Sequence, residues 1–338
     1  MKPQTAVIIL NWNGSELLRR FLPYVIANTP RDVADIIVAD NGSTDDSLAV
    51  LSNEFPEVNV LRFVKNHGFA EGYNLALQHS GYRYTVLLNS DAMPHEGWIA
   101  PLVAAMEADP KLGACQPKIH SVRKPGRFEY AGAAGGFLDR HGYPYCRGRI
   151  FDSLEQDNGQ YDSPAPLPSF WASGAAMMVR TELYLKLGGL EPAFFAHMEE
   201  IDLCWRMQLA GFKIATVTNS TVSHLGGASL DASDPKKTYL NFRNNLLMMH
   251  RNLPRRIAKK RLIVRRLLDT LAWARFIATF KWRHAGAIVC AHHDFARMRK
   301  DMATAPDDAP DMLRTGTNRP LSILHHNYLL GHRRFTQL

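Results

Sequence analysis

The sequence predicts an α/β fold with a mostly parallel central sheet flanked by helices, and three observations lead to this prediction. Over the first 115 residues, short apolar runs alternate with segments of helical periodicity, which is typical of repeated βαβ units. Each of four apolar runs is followed by polar residues or glycine, as at the ligand-binding edge of a parallel sheet. Hydrophobic residues make up 46% and charged residues 21% of the 338 residues, the balance of a globular protein.

The first part of the chain divides into four expected strands and three expected helices. Strands are expected at 6–10, 36–39, 58–63 and 84–88, and helices at 16–26, 44–53 and 69–80. Ser43 or Thr44 is expected to cap the second helix. Because the carboxyl ends of parallel strands meet at one edge, the polar residues that follow them should form one site. These residues are Asn11, Trp12, Asn13, Asp40, Asn41, Asn66, His67, Gly68, Asn89, Ser90 and Asp91.

The rest of the chain is expected to be irregular at first and then helical. Residues 118–170 are rich in glycine, proline and aromatic residues, which predicts short strands and loops. Strands are expected at 171–180 and 213–217, and helices at 199–210, 239–251, 255–280 and 287–302. No element is predicted for the last ~35 residues. We expect an α/β domain over residues 1–245 and a helical region over residues 246–338.

Cysteine usage and hydropathy indicate a cytoplasmic protein. The four cysteines are widely spaced, with no CxxC pair and no zinc-finger spacing, so a small disulfide scaffold is excluded and reduced thiols are expected. The N-terminal apolar run stops at Asn11, which is too short for a signal peptide. No stretch reaches the ~18 apolar residues of a membrane span.

Two strand ends carry acidic residues with a plausible binding chemistry. The carboxylate of Asp40 can accept a hydrogen bond from the ring N–H of a pyrimidine base, although residues 40–42 also suit a simple turn. Asp91 is placed to hold Mg²⁺ or Mn²⁺, which takes one or two carboxylates together with phosphate oxygens. Asn89 can add a neutral oxygen or bind a sugar hydroxyl, and this short motif also fits a turn.

Three carboxylates, Glu199, Glu200 and Asp202, open a predicted helix and are candidate catalytic residues. Either glutamate can face a cleft as a general base, while capping at the helix start accounts for Asp202. His197 does not complete an HExxH motif, which excludes a metalloprotease of that type.

Two further residues are candidate contacts to a metal or a diphosphate. His224, before two glycines, can bind a metal or a diphosphate, or it can be an ordinary core or surface histidine. Arg243 can bind phosphate in a bidentate way, or lie on a solvated helix face.

Seven motifs in order resemble a family 2 inverting glycosyltransferase with a GT-A-type fold, of the rhamnosyltransferase-like branch. They extend from about residue 6 to residue 245. The motifs are VIILNWNG, VADNGSTDDS, KNHGFAEGYNLAL, LLNSDA, WASGAAMMVR, FFAHMEEIDLCWRMQLAGF and VSHLGGAS.

The resemblance implies a role for each matching position. In the family, the metal site is a DxD motif, and Asp91 matches its second acid while Asn89 replaces the first. The family's catalytic base is the Asp of a Glu-Asp-x-Asp sequence, and Glu200 stands at that position here. The other implied contacts are Asn11, Trp12 and Asn13 to base and ribose, Asp40 to the pyrimidine, Gly68, Phe69, Gly72 and Asn74 to the diphosphate-sugar, and Gly174 and Ala175 to the acceptor.

The implied reaction is a metal-dependent transfer, with Mg²⁺ or Mn²⁺, of a sugar from a dTDP- or UDP-sugar to a glycan hydroxyl. The expected acceptor is a lipid-linked surface glycan. Glu200 is expected to take the hydroxyl proton, with Glu199 in support, while His224 and Arg243 help to stabilise the diphosphate. One alternative is a sugar-nucleotidyl transferase, although NWNGSELL lacks its glycine-rich loop and basic residue. The other is a non-catalytic membrane-associated scaffold, favoured only by the glutamate at position 200.

Basic residues concentrate in the C-terminal region and suggest an anionic membrane surface as a partner. Residues 251–300 hold fourteen Lys or Arg and two acids, a local net charge of +12; since the total is +8, the rest of the chain carries −4. An apolar stripe with flanking arginines fits a peripheral helix at the inner face of the cytoplasmic membrane, or else a lid packed on the catalytic domain. No motif supports a nucleic-acid partner. The stripe is Val264, Leu267, Leu268 and Leu271, flanked by Arg261, Arg265 and Arg266.

Overall fold

The apolar runs near the start of the chain form the centre of a large mixed sheet, which confirms the α/β class. The computed structural model describes residues 3–226, 234–314, 317–318 and 320–338. Strand β1 (Thr5–Asn11) lies between β2 (Ala34–Asp40) and β4 (Tyr84–Asn89), and β3 (Asn59–Arg62) lies outside β2. All of these pairs are parallel. Nearly every residue of β1 and β4 is buried because both faces of the sheet are covered, and this explains their continuous apolar sequence.

Three helices connect these strands close to their expected positions. They are α1 (Ser15–Asn28), α2 (Ser47–Glu54) and α3 (Gly68–Gln78). The expected cap of α2 is wrong, because α2 begins after Asp46 and makes no side-chain cap. Ser43 and Thr44 instead contact the chain that follows β1, where Ser43 Oγ accepts from the backbone N–H of Asn13.

The other half of the sheet is mainly antiparallel. Its strands are β5 (Ala92–Pro94), β6 (Leu112–Ser121), β11 (Leu167–Ser169), β12 (Ala176–Arg180) and β13 (Lys213–His224). β12 joins β4 to β6, and β13 pairs with β6, β11 and β5.

Two strands here differ in length from their predictions. The strand expected at 171–180 begins only at Ala176, because the backbone N–H groups of Ser173 and Ala175 donate to the side chains of Gln116 and Ser173. β13 continues past residue 217 to His224 and pairs that residue with Ala92. The chain therefore brings His224 to the edge where β4 ends.

A small four-stranded sheet and three more helices complete the first domain. As predicted, the glycine-rich segment forms short strands and loops. Gly136 lies so close to Trp171 that a Cβ there would be 1.9 Å from the indole ring, so only glycine fits. The elements are β7 (Gly136–Leu138), β8 (Pro144–Cys146), β9 (Arg149–Ile150), β10 (Ser153–Leu154), α4 (Ile99–Ala108), α5 (Thr181–Lys186) and α6 (Glu199–Leu209).

Three long helices form the C-terminal region and pack on the first domain. They are α7 (Pro235–Asn252), α8 (Arg255–Ala278) and α9 (Trp282–Met298). In α7, residues 246–249 belong to the main core. The tail after α9 adds the buried side chains of Leu313 and Ile323 to that core. Short turns at His325–Leu329 and Phe335–Gln337 are the only helical elements in the described part of this tail.

The buried face of α8 differs from the predicted apolar stripe. The helix buries Leu262, Arg265 and Asp269, whereas Leu267 and Leu271 are 65% and 67% exposed. Arg265 is thus not a solvated flanking residue. Its Nε donates to Asp269 Oδ1 at 2.9 Å, and its Nη1 donates to Asn245 Oδ1 on α7. The ion pair lies within α8, and the hydrogen bond from Arg265 to Asn245 ties this helix to α7.

None of the helices in the described part of the chain combines the length and apolar character that a membrane span requires. All four cysteines are unpaired, and three of them are buried: Cys115, Cys146 and Cys204.

Replacing Arg265 with Met should lower the free energy of unfolding by about 3–5 kcal/mol, because it leaves Asp269 buried beside a neutral side chain. Urea denaturation of the full chain measures this loss. Arg266→Met is the matched control, since the Arg266 side chain is exposed and its loss should cost less than about 1 kcal/mol. Equal unfolding midpoints for the two variants would contradict the structural role of Arg265.

Candidate active site

The ends of β1 and β2 form one wall of the candidate site. Asn11 and Asp40 are paired in register, and the Asn11 amide donates to Asp40 Oδ2 at 3.1 Å. Asp40 Oδ1 accepts from the backbone N–H of Ser43 at 3.0 Å. Both residues are fully buried, while Trp12 is 56% exposed. Asn13 has a φ of 49°, and its side chain accepts from the backbone N–H of Thr44.

The start of α3 lies beside this wall. The Asn41 amide donates to the carbonyl of Gly68 at 3.0 Å, and Gly68 has a φ of 78° that favours glycine. Phe69 packs edge-to-face on Tyr73, with 4.9 Å between ring centroids. Gly68 and Phe69 are therefore close to the edge where the strands end.

Gly72 and Asn74, expected to border the diphosphate-sugar, both make structural contacts. A Cβ on Gly72 would lie 2.9 Å from the side chain of Leu10, so this glycine allows α3 to pack on β1. The Asn74 amide donates to the carbonyl of Leu190 at 2.8 Å and accepts from its N–H at 2.9 Å. Tyr184 donates to the same Asn74 oxygen. The Asn74 side chain is thus hydrogen-bonded to residues that lie far away in the sequence.

Asp91 and His224 meet where β4 and β13 end and β5 begins. His224 Nε2 lies 3.0 Å from Asp91 Oδ1 and 3.2 Å from the Asn89 amide nitrogen. On the other side of the imidazole, Nδ1 lies 3.4 Å from Glu129 Oε2. Glu129 was not predicted, and no local motif marks it, because its contact with His224 depends on the long-range pairing of β6 and β13.

The two carboxylates control the protonation of His224. Burial disfavours the imidazolium, but the hydrogen bonds and charges of Asp91 and Glu129 outweigh burial and raise the pKa of His224 to about 10. Burial likewise opposes the charged carboxylates, and contact with His224 nevertheless lowers the pKa values of Asp91 and Glu129. The site therefore attracts a positive charge.

The chemistry of this group fits a divalent cation. Asp91 offers a carboxylate and His224 an imidazole nitrogen, and Glu129 stands behind the imidazole as carboxylates do behind metal-bound histidines. No cluster of three or more His, Cys, Asp or Glu suited to a metal occurs among the described residues. Phosphate oxygens and water would therefore complete the coordination of Mg²⁺ or Mn²⁺.

Glu199 and Glu200 lie in the first turn of α6 with unused acceptor atoms. The Oε2 atom of each is shielded from solvent and accepts no hydrogen bond. Burial, and then the charge of Glu200, raises the pKa of Glu199 well above its usual value. Burial also raises the pKa of Glu200 to about 7. Both glutamates therefore bind a proton more readily than an exposed carboxylate does, which suits a general base.

Glu200 is connected to the Asp91 region through the loop before β12. A Cβ on Gly174 would lie 3.8 Å from Glu200 Cβ and 3.7 Å from the Phe69 ring. The next residue, Ala175, accepts from the backbone N–H of Asn89 at 3.1 Å. One short loop therefore lies between the two groups of acids.

Asp202, the third candidate acid of α6, has two hydrogen-bond partners at the helix start. Its Oδ2 accepts from Arg206 Nε at 2.8 Å, and its Oδ1 accepts from the Asn252 amide at 2.6 Å. Asp202 is fully buried and ties α6 to α7.

Arg243, expected to contact the diphosphate, binds backbone carbonyls of the chain before α6 in this structure. Its Nη2 donates to the carbonyls of Ala193 and Phe194 at 2.9 and 3.0 Å, and the residue is buried. The next residue, Asn244, binds the same loop and was not predicted. The signal for it was present in the sequence, since polar residues 243–245 interrupt what is otherwise a core-facing helix.

Comparisons with known proteins agree with this fold. A sequence model of glycosyl transferase family 2 matches residues 6–172. The chain is 26% identical over 233 residues to the N-acetylglucosaminyl-diphospho-decaprenol L-rhamnosyltransferase of Mycobacterium tuberculosis, covering 64% of this chain and 75% of that protein. The family model thus matches the part of the chain that begins with β1 and ends before β12.

Solved structures support the fold alone, because their sequence identities are low. GalNAc-T7 superposes with a TM-score of 0.57 and 20% identity, covering 72% of this chain but only 47% of that one. A mannosyltransferase of Pyrobaculum calidifontis gives a TM-score of 0.52 and 16% identity, covering 88% of both chains.

The mixed sheet, with its acidic edge and its C-terminal helices, is a GT-A-type fold, and the protein is a glycosyltransferase. More particularly, residues 6–172 match the family 2 glycosyltransferase domain, and the chain is similar to a rhamnosyltransferase. The family model and the mycobacterial relative favour glycosyl transfer over the nucleotidyl-transfer and scaffold alternatives.

Proposed function

We propose that the chain is a metal-dependent, inverting glycosyltransferase that moves a sugar from a dTDP- or UDP-sugar to a hydroxyl of a lipid-linked glycan. One observation carries the proposal. Glu200, with an unused buried oxygen, lies across the loop of residues 174–175 from the Asp91–His224 pair. A base and an anion-stabilising group on two sides of one loop suit a single displacement at an anomeric carbon.

The structural relatives support the type of donor. GalNAc-T7 was solved with UDP, GalNAc and Mn²⁺, and the P. calidifontis mannosyltransferase with GDP-Man and Mn²⁺. In this chain, Asn11 and Asp40 supply the buried polar wall that would bind the base. Each oxygen of Asp40 accepts one hydrogen bond within the protein and keeps a lone pair for a ring N–H.

The mechanism follows from the chemistry of the bond that breaks. A cation held by Asp91 and His224 would supply positive charge that stabilises the diphosphate leaving group. Glu200 accepts the proton of the acceptor hydroxyl while the hydroxyl oxygen attacks the anomeric carbon. The bond from that carbon to the diphosphate oxygen breaks on the opposite side, so the configuration inverts. Glu199, whose pKa is raised by burial and by the charge of Glu200, is the supporting neighbour.

The proposed acceptor explains the exposed face of α8. The mycobacterial relative is named for a diphospho-decaprenol acceptor, a lipid. On α8, Ile263, Leu267 and Leu271 recur every four residues and are all more than half exposed. Exposed basic residues lie around them on the same helix, including Lys259 and Arg266. An anionic membrane surface would cover this stripe and bind these charges, at about 1 kcal/mol per basic residue.

The metal assignment predicts that Asp91→Ala abolishes metal-stimulated turnover and weakens Mn²⁺-dependent binding of UDP or dTDP, because it removes a direct ligand. Calorimetric titration of the nucleotide with and without Mn²⁺ measures the loss. Glu96→Ala, an exposed carboxylate close in sequence, is the control and should behave like the parent. Parental affinity of Asp91→Ala for UDP or dTDP with Mn²⁺ would refute the assignment.

The base assignment predicts a pH profile as well as a mutational effect. Glu200 acts only when it is deprotonated and its pKa is about 7, so kcat should fall as the pH drops below that value. Glu200→Gln should lower kcat by about 10²–10⁴-fold and leave nucleotide binding nearly intact. Glu200→Asp restores the residue usual in the family and tests whether the pocket accepts the shorter side chain.

Glu199→Gln should lower kcat much less than Glu200→Gln. The reverse order would assign the base to Glu199. If both variants keep parental kcat with a verified donor and acceptor, general-base catalysis by this pair is wrong.

The membrane proposal predicts that the double variant Leu267→Glu, Leu271→Glu binds vesicles containing phosphatidylglycerol much less than the parent. Sedimentation with the vesicles measures the bound fraction, and added salt should reduce binding by the parent. Val64→Glu, which changes a fully exposed apolar residue on the first domain, is the control. Unchanged binding by the folded double variant would rule out this face.

A further inference from the structure

The loop before α6, residues 195–198, has an unfavourable backbone conformation that contacts with other parts of the protein must stabilise. Three of its four residues lie in the left-handed region although none is glycine: Phe195, His197 and Met198, with φ of 67°, 70° and 76°. Such a conformation is uncommon for residues with a side chain, and it persists only when the surroundings enforce it. Glu199 follows Met198 directly, so the loop sets where α6 begins.

Asn244 and Arg243 on α7 supply the hydrogen bonds that enforce this conformation. The Asn244 amide donates to three carbonyls, those of Phe194, Ala196 and His197, at 2.8–2.9 Å. Arg243 Nη2 donates to Ala193 and Phe194, and Arg243 Nε donates to the Asn244 oxygen. Asn244 is fully buried, and its side chain is thus occupied entirely by this loop and by Arg243.

The loop also contacts the proposed donor side of the site. The ring of Phe195 would lie 3.5 Å from a Cβ on Gly68, at the start of α3. At the other end, the carbonyl of Met198 accepts from the backbone N–H of Asp202 and opens α6. A change in the loop would therefore move the first turn of α6, which carries Glu200, relative to residues 174–175.

We propose that Asn244 is a positioning residue for the transfer reaction, and that it acts by holding residues 195–198 in their left-handed conformation so that Glu200 faces the acceptor. The inference rests on the proposed role of Glu200. Among the contacts described, Asn244 touches neither the donor wall nor the two glutamates. Its replacement should therefore lower kcat and leave nucleotide binding unchanged.

The test compares Asn244→Ala with Asn245→Ala, the matched control. Asn245 is the next residue of α7 and is equally buried, but its amide donates to Gly142 and its oxygen accepts from Arg265. Its contact with the loop is a long one, 4.0 Å from its amide nitrogen to the Met198 sulfur. Asn244→Ala should lower kcat by about 100-fold, as expected when a catalytic group is misplaced by about 1 Å. KM for the nucleotide sugar and the affinity for UDP with Mn²⁺ should stay within about twofold of the parent. Asn245→Ala should destabilise the protein and keep kcat per folded molecule.

Hydrogen exchange separates failure of this inference from failure of the proposed function. Amides of residues 195–200 should exchange faster in Asn244→Ala than in Asn245→Ala, whatever the activity. Unchanged exchange there, or equal kcat in the two variants, would overturn the inference. A parental kcat for Glu200→Gln would overturn the proposed role of Glu200 as the base while leaving the exchange result valid.

A milder variant covers the case in which Asn244→Ala does not fold. Arg243→Lys keeps the positive charge but loses the planar guanidinium group that donates to two carbonyls. We expect a smaller fall in kcat, with the same unchanged nucleotide affinity and the same faster exchange at residues 195–200. Parental kcat and exchange in Arg243→Lys, together with an unfolded Asn244→Ala, would count against the inference.

Discussion

The contact between His224 and Asp91 is the constraint on which the site depends. It joins the end of β4 to the end of β13, strands that lie on opposite sides of β12 and β6 in the sheet. Two carboxylates, Asp91 and Glu129, are buried within a few ångströms of one imidazole, and buried like charges are costly unless a cation lies between them. Any arrangement that kept both acids would need a positive charge at this place, whether a proton on His224 or a metal ion.

The acids of α6 differ from one another in whether their carboxylates have hydrogen-bond partners. Asp202 receives Arg206 and Asn252 as partners, and its carboxylate is thereby fixed in the structure. Glu199 and Glu200, within the same helical turn, each keep an oxygen with no partner although burial is unfavourable to their charge. A carboxylate kept unpaired in a buried place binds a proton more readily, which is the property that a general base needs. The difference in partners, rather than in sequence position, distinguishes the structural acid from the reactive pair.

Local patterns predicted the parallel half of the fold well, because β1 to β4 and α1 to α3 each carry their own periodicity. Local patterns did not predict that β13 continues beyond residue 217, because the polar residues Thr218–Ser220 interrupt its apolar pattern. The partners of this later part of the strand lie in β5 and β6. In the site, Asn11 and Asp40 could be placed together because each ends a predicted parallel strand. Asn74, Asp202 and Arg243 could not be, since their partners belong to segments that only the tertiary fold brings near.

The C-terminal helices are more than an attachment to the catalytic domain. The boundary proposed at residue 245 falls inside α7, a helix whose residues 246–249 lie in the main core. Adjacent residues of this helix face different neighbours: Asn244 binds the loop before the glutamates, and Asn245 binds Arg265 on α8. Because a helix is stiff over one turn, α7 fixes the exposed stripe of α8 relative to Glu200. A membrane bound at that stripe would therefore meet the acceptor site in one orientation, which suits an acceptor whose sugar is tethered to a lipid.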